Sequence, residues 1–152
     1  MSFLDMLRDA GAKNQSMLCV GLDPEPSRFP ADLKGNANKI YDFCARIVDA
    51  TADLVNAFKP QIAYFAALAA EDQLQAICDY LNQRYPDIPI VLDAKRGDIG
   101  NTSKMYAKAF FEWMNFDAVT VAPYMGEDSV TPFLDYKEKW VILLGLTSNK
   151  GS

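Results

Sequence analysis

An apolar run from Ile88 to Leu92 ends in two charged residues spaced two apart, Asp93 and Lys95, with Asp98 close behind. Alternate residues of a strand share a face, so the Asp93 carboxylate and the Lys95 ammonium are expected to meet. Such a pair at the end of a buried strand is either a structural ion pair or a preorganised site for proton transfer and charge stabilisation. Other apolar runs end in the same way. Met17–Leu22 stops at Asp23, Asn56–Phe58 at Lys59, and Trp140–Leu146 in a polar turn that holds Ser148. Taken singly, Asp23 is a turn-former before Pro24, Lys59 a snorkelling lysine, Ser148 a turn residue and Arg96 a surface cation.

The chain has no histidine. Ser-His-Asp and Cys-His nucleophile arrangements and the usual histidine metal sites therefore cannot be built from these residues. Proton transfer falls to Lys, Asp, Glu, Tyr or Cys.

These charges are carried by an alternation of strands and helices. A short amphipathic helix opens the chain, and Met17–Leu22 is a first strand, barred from simple continuation by Asp23-Pro24-Glu25-Pro26. From Ile40, the positions Phe43, Cys44, Ile47, Val48, Leu54 and Val55 form one face of a long helix, with Asp42, Arg46, Asp49 and Asp53 as solvated charge opposite. Asn56–Lys59 is a second strand stopped by Pro60. Leu74, Ile77, Cys78 and Leu81 mark another helix, and Ile88 begins the third strand. Gly97 and Gly100 then break the chain, and Asn101, Thr102 or Ser103 caps a helix running towards Trp113. Its Tyr106, Ala109, Phe110, Trp113 and Met114 are expected to pack on the sheet. Ala118–Ala122 is a fourth strand, a short helix holds Val130, Phe133 and Leu134, and Trp140–Leu146 is a fifth strand.

This order describes a parallel α/β protein without linkers or a second domain. Half of the 152 residues are hydrophobic, enough for one modest core. The net charge of −5 argues against nucleic acid or a membrane surface as partner. No apolar run is long enough to span a bilayer, and the first residues lack the order of a signal peptide. Cys19, Cys44 and Cys78 stand among apolar neighbours and are expected as reduced core residues, which makes the cytoplasm the natural compartment.

Of the two parallel architectures, the doubly wound sheet lacks support, because no Gly-x-Gly-x-x-Gly follows the first strand. Polar residues at the ends of several strands point instead to a TIM-type (β/α)8 barrel with its site on the C-terminal face. Such barrels typically take about 250 residues. Residues 1–152 are therefore expected to be either a smaller open-sheet fold or, as the end in a polar turn favours, a single domain comprising about the first five βα units of the barrel, with the C-terminal strands absent and the first and fifth strands left as open edges.

The run Asp93-Ala94-Lys95-Arg96-Gly97-Asp98-Ile99-Gly100-Asn101-Thr102 resembles the Asp-x-Lys-x-x-Asp signature and Ile-Gly-Asn-Thr continuation of the orotidine 5′-phosphate decarboxylases, in their bacterial branch. Leu18–Pro24, Phe58–Phe65, Val121–Gly126 and Thr147-Ser148-Asn149 resemble further blocks of that family, in family order. The resemblance implies an eight-stranded barrel, usually a homodimer, that converts orotidine 5′-phosphate to UMP without metal or organic cofactor. It implies that Lys59, Asp93 and Lys95 form a charged network completed by Asp98 of a partner subunit, with Lys95 as proton donor. Asp23 and Lys59 would bind ribose hydroxyls, Ser148 the pyrimidine, and Ile99 and Thr102 of the neighbour would line the pocket. The family's phosphate grip, including an arginine, would lie beyond Ser152, so the 152-residue chain alone is expected to be inactive and poorly soluble. The alternatives are a Mg²⁺-dependent sugar-phosphate decarboxylase or aldolase of the same suprafamily, or a non-catalytic truncated barrel module. Lys59-Pro60 stands where the sugar-phosphate enzymes place an acidic metal ligand.

Overall fold

A computed structural model describes residues 1–151. Strands β1 (Cys19–Leu22) and β2 (Ala57–Pro60) pair in parallel, as do β3 (Val91–Arg96), β4 (Ala118–Val121) and β5 (Trp140–Leu143). Parallel bridges Phe58↔Ile90 and Gln61↔Asp93 join the two groups, so the five strands lie side by side in chain order. All C-terminal strand ends therefore point the same way.

Helices α1 (Phe3–Asn14), α2 (Ile40–Thr51), α3 (Ile62–Ala66), α4 (Glu71–Arg84), α5 (Gly100–Lys108) and α6 (Thr131–Leu134) link or flank the strands. Among the described residues, no helix is long and apolar enough to cross a membrane. The apolar stripes read from the sequence enter one core: Ile40, Cys44 and Val48 of α2 and Leu74, Ile77, Cys78 and Leu81 of α4 are buried with Phe58, Leu92 and Val119 of the strands. Helix α1 lies across the N-terminal strand ends. Phe3 packs with Val91 and Ala118 against the Trp140 ring, and its N–H donates to the Glu138 carbonyl.

Several elements differ from their sequence expectation. Strand β1 starts only at Cys19, and Met17 and Leu18 are exposed. Cys19 is itself exposed, on the face of β1 opposite Val20, which packs against the core, whereas Cys44 and Cys78 are buried free thiols. Helix α2 ends at Thr51, whose hydroxyl donates back to the Ile47 carbonyl. Leu54 falls in the turn beyond and is exposed, and Asp49 is no mere solvated charge, since it accepts from the Tyr80 and Tyr85 hydroxyls of the neighbouring segment. Strand β5 ends at Leu143 rather than Leu146.

Helix α5 runs into a π-helical turn, Ala109–Trp113, and buries Ala107, Phe110 and Phe111 while Trp113 stays 77% exposed. Apolar residues fill two adjoining stripes of this helix, and spacing alone cannot choose between them. The residue before α5 is Ile99, not Asn101, Thr102 or Ser103. Ser103 nevertheless ties the turn together: its hydroxyl accepts from the Asp98 N–H and lies 2.7 and 2.8 Å from the Asp98 and Ser129 carbonyls.

Candidate active site

The site lies at the C-terminal ends of β2, β3 and β4. Strand β3 is buried on both faces from Val91 to Ala94, as parallel strands between neighbours are, and its charge begins inside that buried stretch. Pairing with β4 is regular at Val91↔Ala118 and Leu92↔Val119, then resumes only at Arg96↔Val121. Asp93, Ala94 and Lys95 thus stand opposite Thr120 alone, a bulge that re-aims side chains. Lys95 takes a left-handed backbone with φ of 47°, which costs a non-glycine residue about 1–2 kcal/mol. Simple alternation identified the right pair, but the bulge sets its geometry.

The two oxygens of Asp93 are divided between two lysines. Lys59 Nζ from β2 is 3.2 Å from Oδ2, and Lys95 Nζ is 2.6 Å from Oδ1. The Thr120 hydroxyl, 3.0 Å from Oδ1, donates a third hydrogen bond. Burial by itself pushes the Asp93 carboxyl up, but hydrogen bonds from Lys95, Lys59 and Thr120, with the Lys59 charge, outweigh it. The net result lies below the ordinary carboxylate value of 3.8. An ionised carboxylate with 10% of its side chain exposed is held between two lysine side chains.

Asp23 is exposed just beyond β1. Its Oδ1 lies 3.4 Å from where a Cβ on Gly21 would stand, on the side facing the Lys59 carbonyl. Lys59, Asp93 and Lys95 are brought together, while Asp98, Ile99, Thr102 and Ser148 are not joined to them. The Asp98 carboxylate accepts only from the Ile99 N–H and forms no ion pair among the described residues. Ile99 is 60% exposed, and Thr102 and Ser148 face solvent.

Arg96 is no free surface cation. It is half-buried, with its guanidinium carbon 5.5 Å from the Tyr106 ring centre and Nη1 3.3 Å from the Ala94 carbonyl. The residue missed by sequence reasoning is Thr120, whose one available signal is that it is the only hydroxyl in the apolar run Ala118–Ala122. Among the described residues, no three His, Cys, Asp or Glu side chains are grouped to hold a metal ion.

Parallel βα units with charged side chains gathered at the carboxyl ends of neighbouring strands define an α/β protein of the kind that builds its site on strand ends. Residues 16–152 match the family described as orotidine 5′-phosphate decarboxylase / HUMPS, and the chain belongs to that family. Orotidine 5′-phosphate decarboxylases of Delftia acidovorans and Dechloromonas aromatica are 66% and 62% identical to it over 151 residues. Those matches cover 99% of this chain but 55% and 56% of the relatives, so the chain spans about half their length. The solved OMP decarboxylase of Leishmania donovani superimposes with a TM-score of 0.85 at 38% identity, covering 99% of this chain and 56% of that one.

Proposed function

We propose that this chain supplies the first five βα units of a (β/α)8-barrel orotidine 5′-phosphate decarboxylase, which releases carbon dioxide from orotidine 5′-phosphate to form UMP in the cytoplasm. The observation that carries the reading is the Asp93 carboxylate clasped between Lys59 and Lys95 at 3.2 and 2.6 Å. Loss of carbon dioxide from C6 of the pyrimidine leaves an electron pair in an in-plane orbital that ring resonance cannot spread. A fixed adjacent cation stabilises that charge most directly. Lys95 is that cation and then delivers a proton to C6, so that the C–C bond breaks, the pair stays on C6, and a C–H bond replaces it.

Asp93 holds Lys95 in place and stands near the departing carboxylate. Two such charges about 4 Å apart repel by about 4 kcal/mol at an effective dielectric near 20. Asp23 and Lys59 bind the ribose hydroxyls, and Ser148 the pyrimidine. In a homodimer with shared sites, Asp98, Ile99 and Thr102 serve the neighbouring subunit. That the Asp98 carboxylate forms no ion pair among the described residues and that Ile99 and Thr102 are exposed support that assignment. The phosphate is held by loops of the barrel's remaining units.

The test is the loss of orotidine 5′-phosphate absorbance with the full-length gene product, in the presence of a chelator. Lys95→Ala is expected to lower kcat by about 10²–10⁴-fold or more. Undiminished turnover in that variant would overturn the mechanism, and a requirement for Mg²⁺ with a sugar phosphate instead would overturn the substrate.

A further inference from the structure

Where β3 bulges, its backbone loses the regular ladder to β4, and one side chain takes over. Three residues of β3 face Thr120, which is 7% exposed. The Thr120 oxygen accepts from the Ala94 N–H at 3.0 Å and the Lys95 N–H at 2.9 Å. Its proton goes to Asp93 Oδ1 at 3.0 Å. A hydroxyl has one donor and two acceptor sites, and here all three are engaged by three consecutive residues.

We propose that Thr120 is a positioning residue for the reaction. Its hydroxyl locks the bulge that holds Lys95 in its left-handed backbone, and aims the Asp93 carboxylate at the Lys95 ammonium. The assignment rests on the decarboxylase reading for its catalytic consequence and on geometry alone for its effect on Asp93. Hydrogen bonds from backbone amides to a side chain resist displacement when no other acceptor or water is at hand, so the pair is preorganised before substrate arrives. Within the chain the charged groups facing Asp93 are Lys59 on β2 and Lys95 on β3, with Asp23 one strand further away at the end of β1, and in the proposed homodimer Asp98 of the partner subunit joins them.

The experiment compares Thr120→Val, which keeps the branched shape, with Thr120→Ser, which keeps the hydroxyl, in the full-length gene product. In the valine variant, kcat is expected to fall about 100-fold, the scale of a misplaced reacting group, with a much smaller change in KM. The serine variant recovers most of the rate. Loss of one hydrogen bond to the carboxylate also moves the titration of Asp93, followed by carbon-13 NMR of its carboxyl, to higher pH in Thr120→Val but not in Thr120→Ser. Should the valine variant fail to fold, Thr120→Ala against Thr120→Ser isolates the hydroxyl in the same way. Equal losses in the hydroxyl-bearing and hydroxyl-free variants, or an unmoved Asp93 titration, would overturn the proposal. Because the titration needs no turnover, a wild-type protein inert towards orotidine 5′-phosphate would sink the functional reading while still judging Thr120.

Discussion

Asp93 sits where burial favours the neutral acid, and it stays ionised because two lysines and a hydroxyl reach it from three strands. Its folded value lies below 3.8, and in an unfolded chain it titrates near about 3.9. The stabilisation that comes with this depressed value is therefore present above about pH 4 and is lost as pH falls through the folded value. Replacing Asp93 by Asn removes this dependence and leaves Lys59 and Lys95 without their shared counter-charge. Denaturant titrations at a series of pH values should show the wild type's margin over Asp93→Asn at neutral pH shrinking in acid. A margin that is the same at both ends would show that the carboxylate is not held by charge.

The β3–β4 pair, not the lysines alone, holds this arrangement, and its tightest point is Gly97. A Cβ there would stand 2.3 Å from the Ala122 carbonyl oxygen, which belongs to backbone and has no side chain to swing aside. The close approach is set by the Ala122 N–H donating to the Arg96 carbonyl at 2.8 Å. Gly97→Ala is expected to destabilise the protein by about 1–3 kcal/mol, the usual cost of overpacking, and to shift the end of β3 that carries Lys95. Gly100 is a matched control. Nothing lies within 4 Å of its absent Cβ and it opens α5, so alanine there should be neutral or stabilising by up to about 1 kcal/mol. Urea unfolding of the two variants checks both, and equal stabilities would refute the steric argument.

Across the sheet, burial falls from the centre outwards. Strands β2, β3 and β4 are mostly enclosed, whereas β5 exposes Trp140, Ile142 and Leu143, and β1 follows exposed Met17 and Leu18. Apolar strands with one unpaired edge invite association with other chains. Residues 1–152 produced alone should bind a hydrophobic-surface dye and form open-ended aggregates in light scattering, whereas the full-length barrel proposed above should bind no dye and scatter as a discrete dimer. A monodisperse, dye-negative short chain would show that the end strands need no further cover.

How much could be foreseen depended on whether a feature is local. The strand–helix alternation, the stripes of α2 and α4, and the meeting of Asp93 with Lys95 follow from spacing, because strand and helix periods are local properties of the chain. Lys59 was legible near a strand end, although β2 runs through Pro60 rather than stopping before it, and that Lys59 shares Asp93 with Lys95 depends on β2 lying beside β3, residues 34 positions apart. The early end of α2, the stripe that α5 buries, and above all the bulge pinned by Thr120 were not legible. Each is decided by what packs opposite, and contacts between strands distant in sequence leave no period to read. Residue order alone thus settled which groups carry charge and at which strand ends. Only the folded chain settled which of them touch, since burial and cross-strand hydrogen bonds exist only once β2, β3 and β4 are side by side.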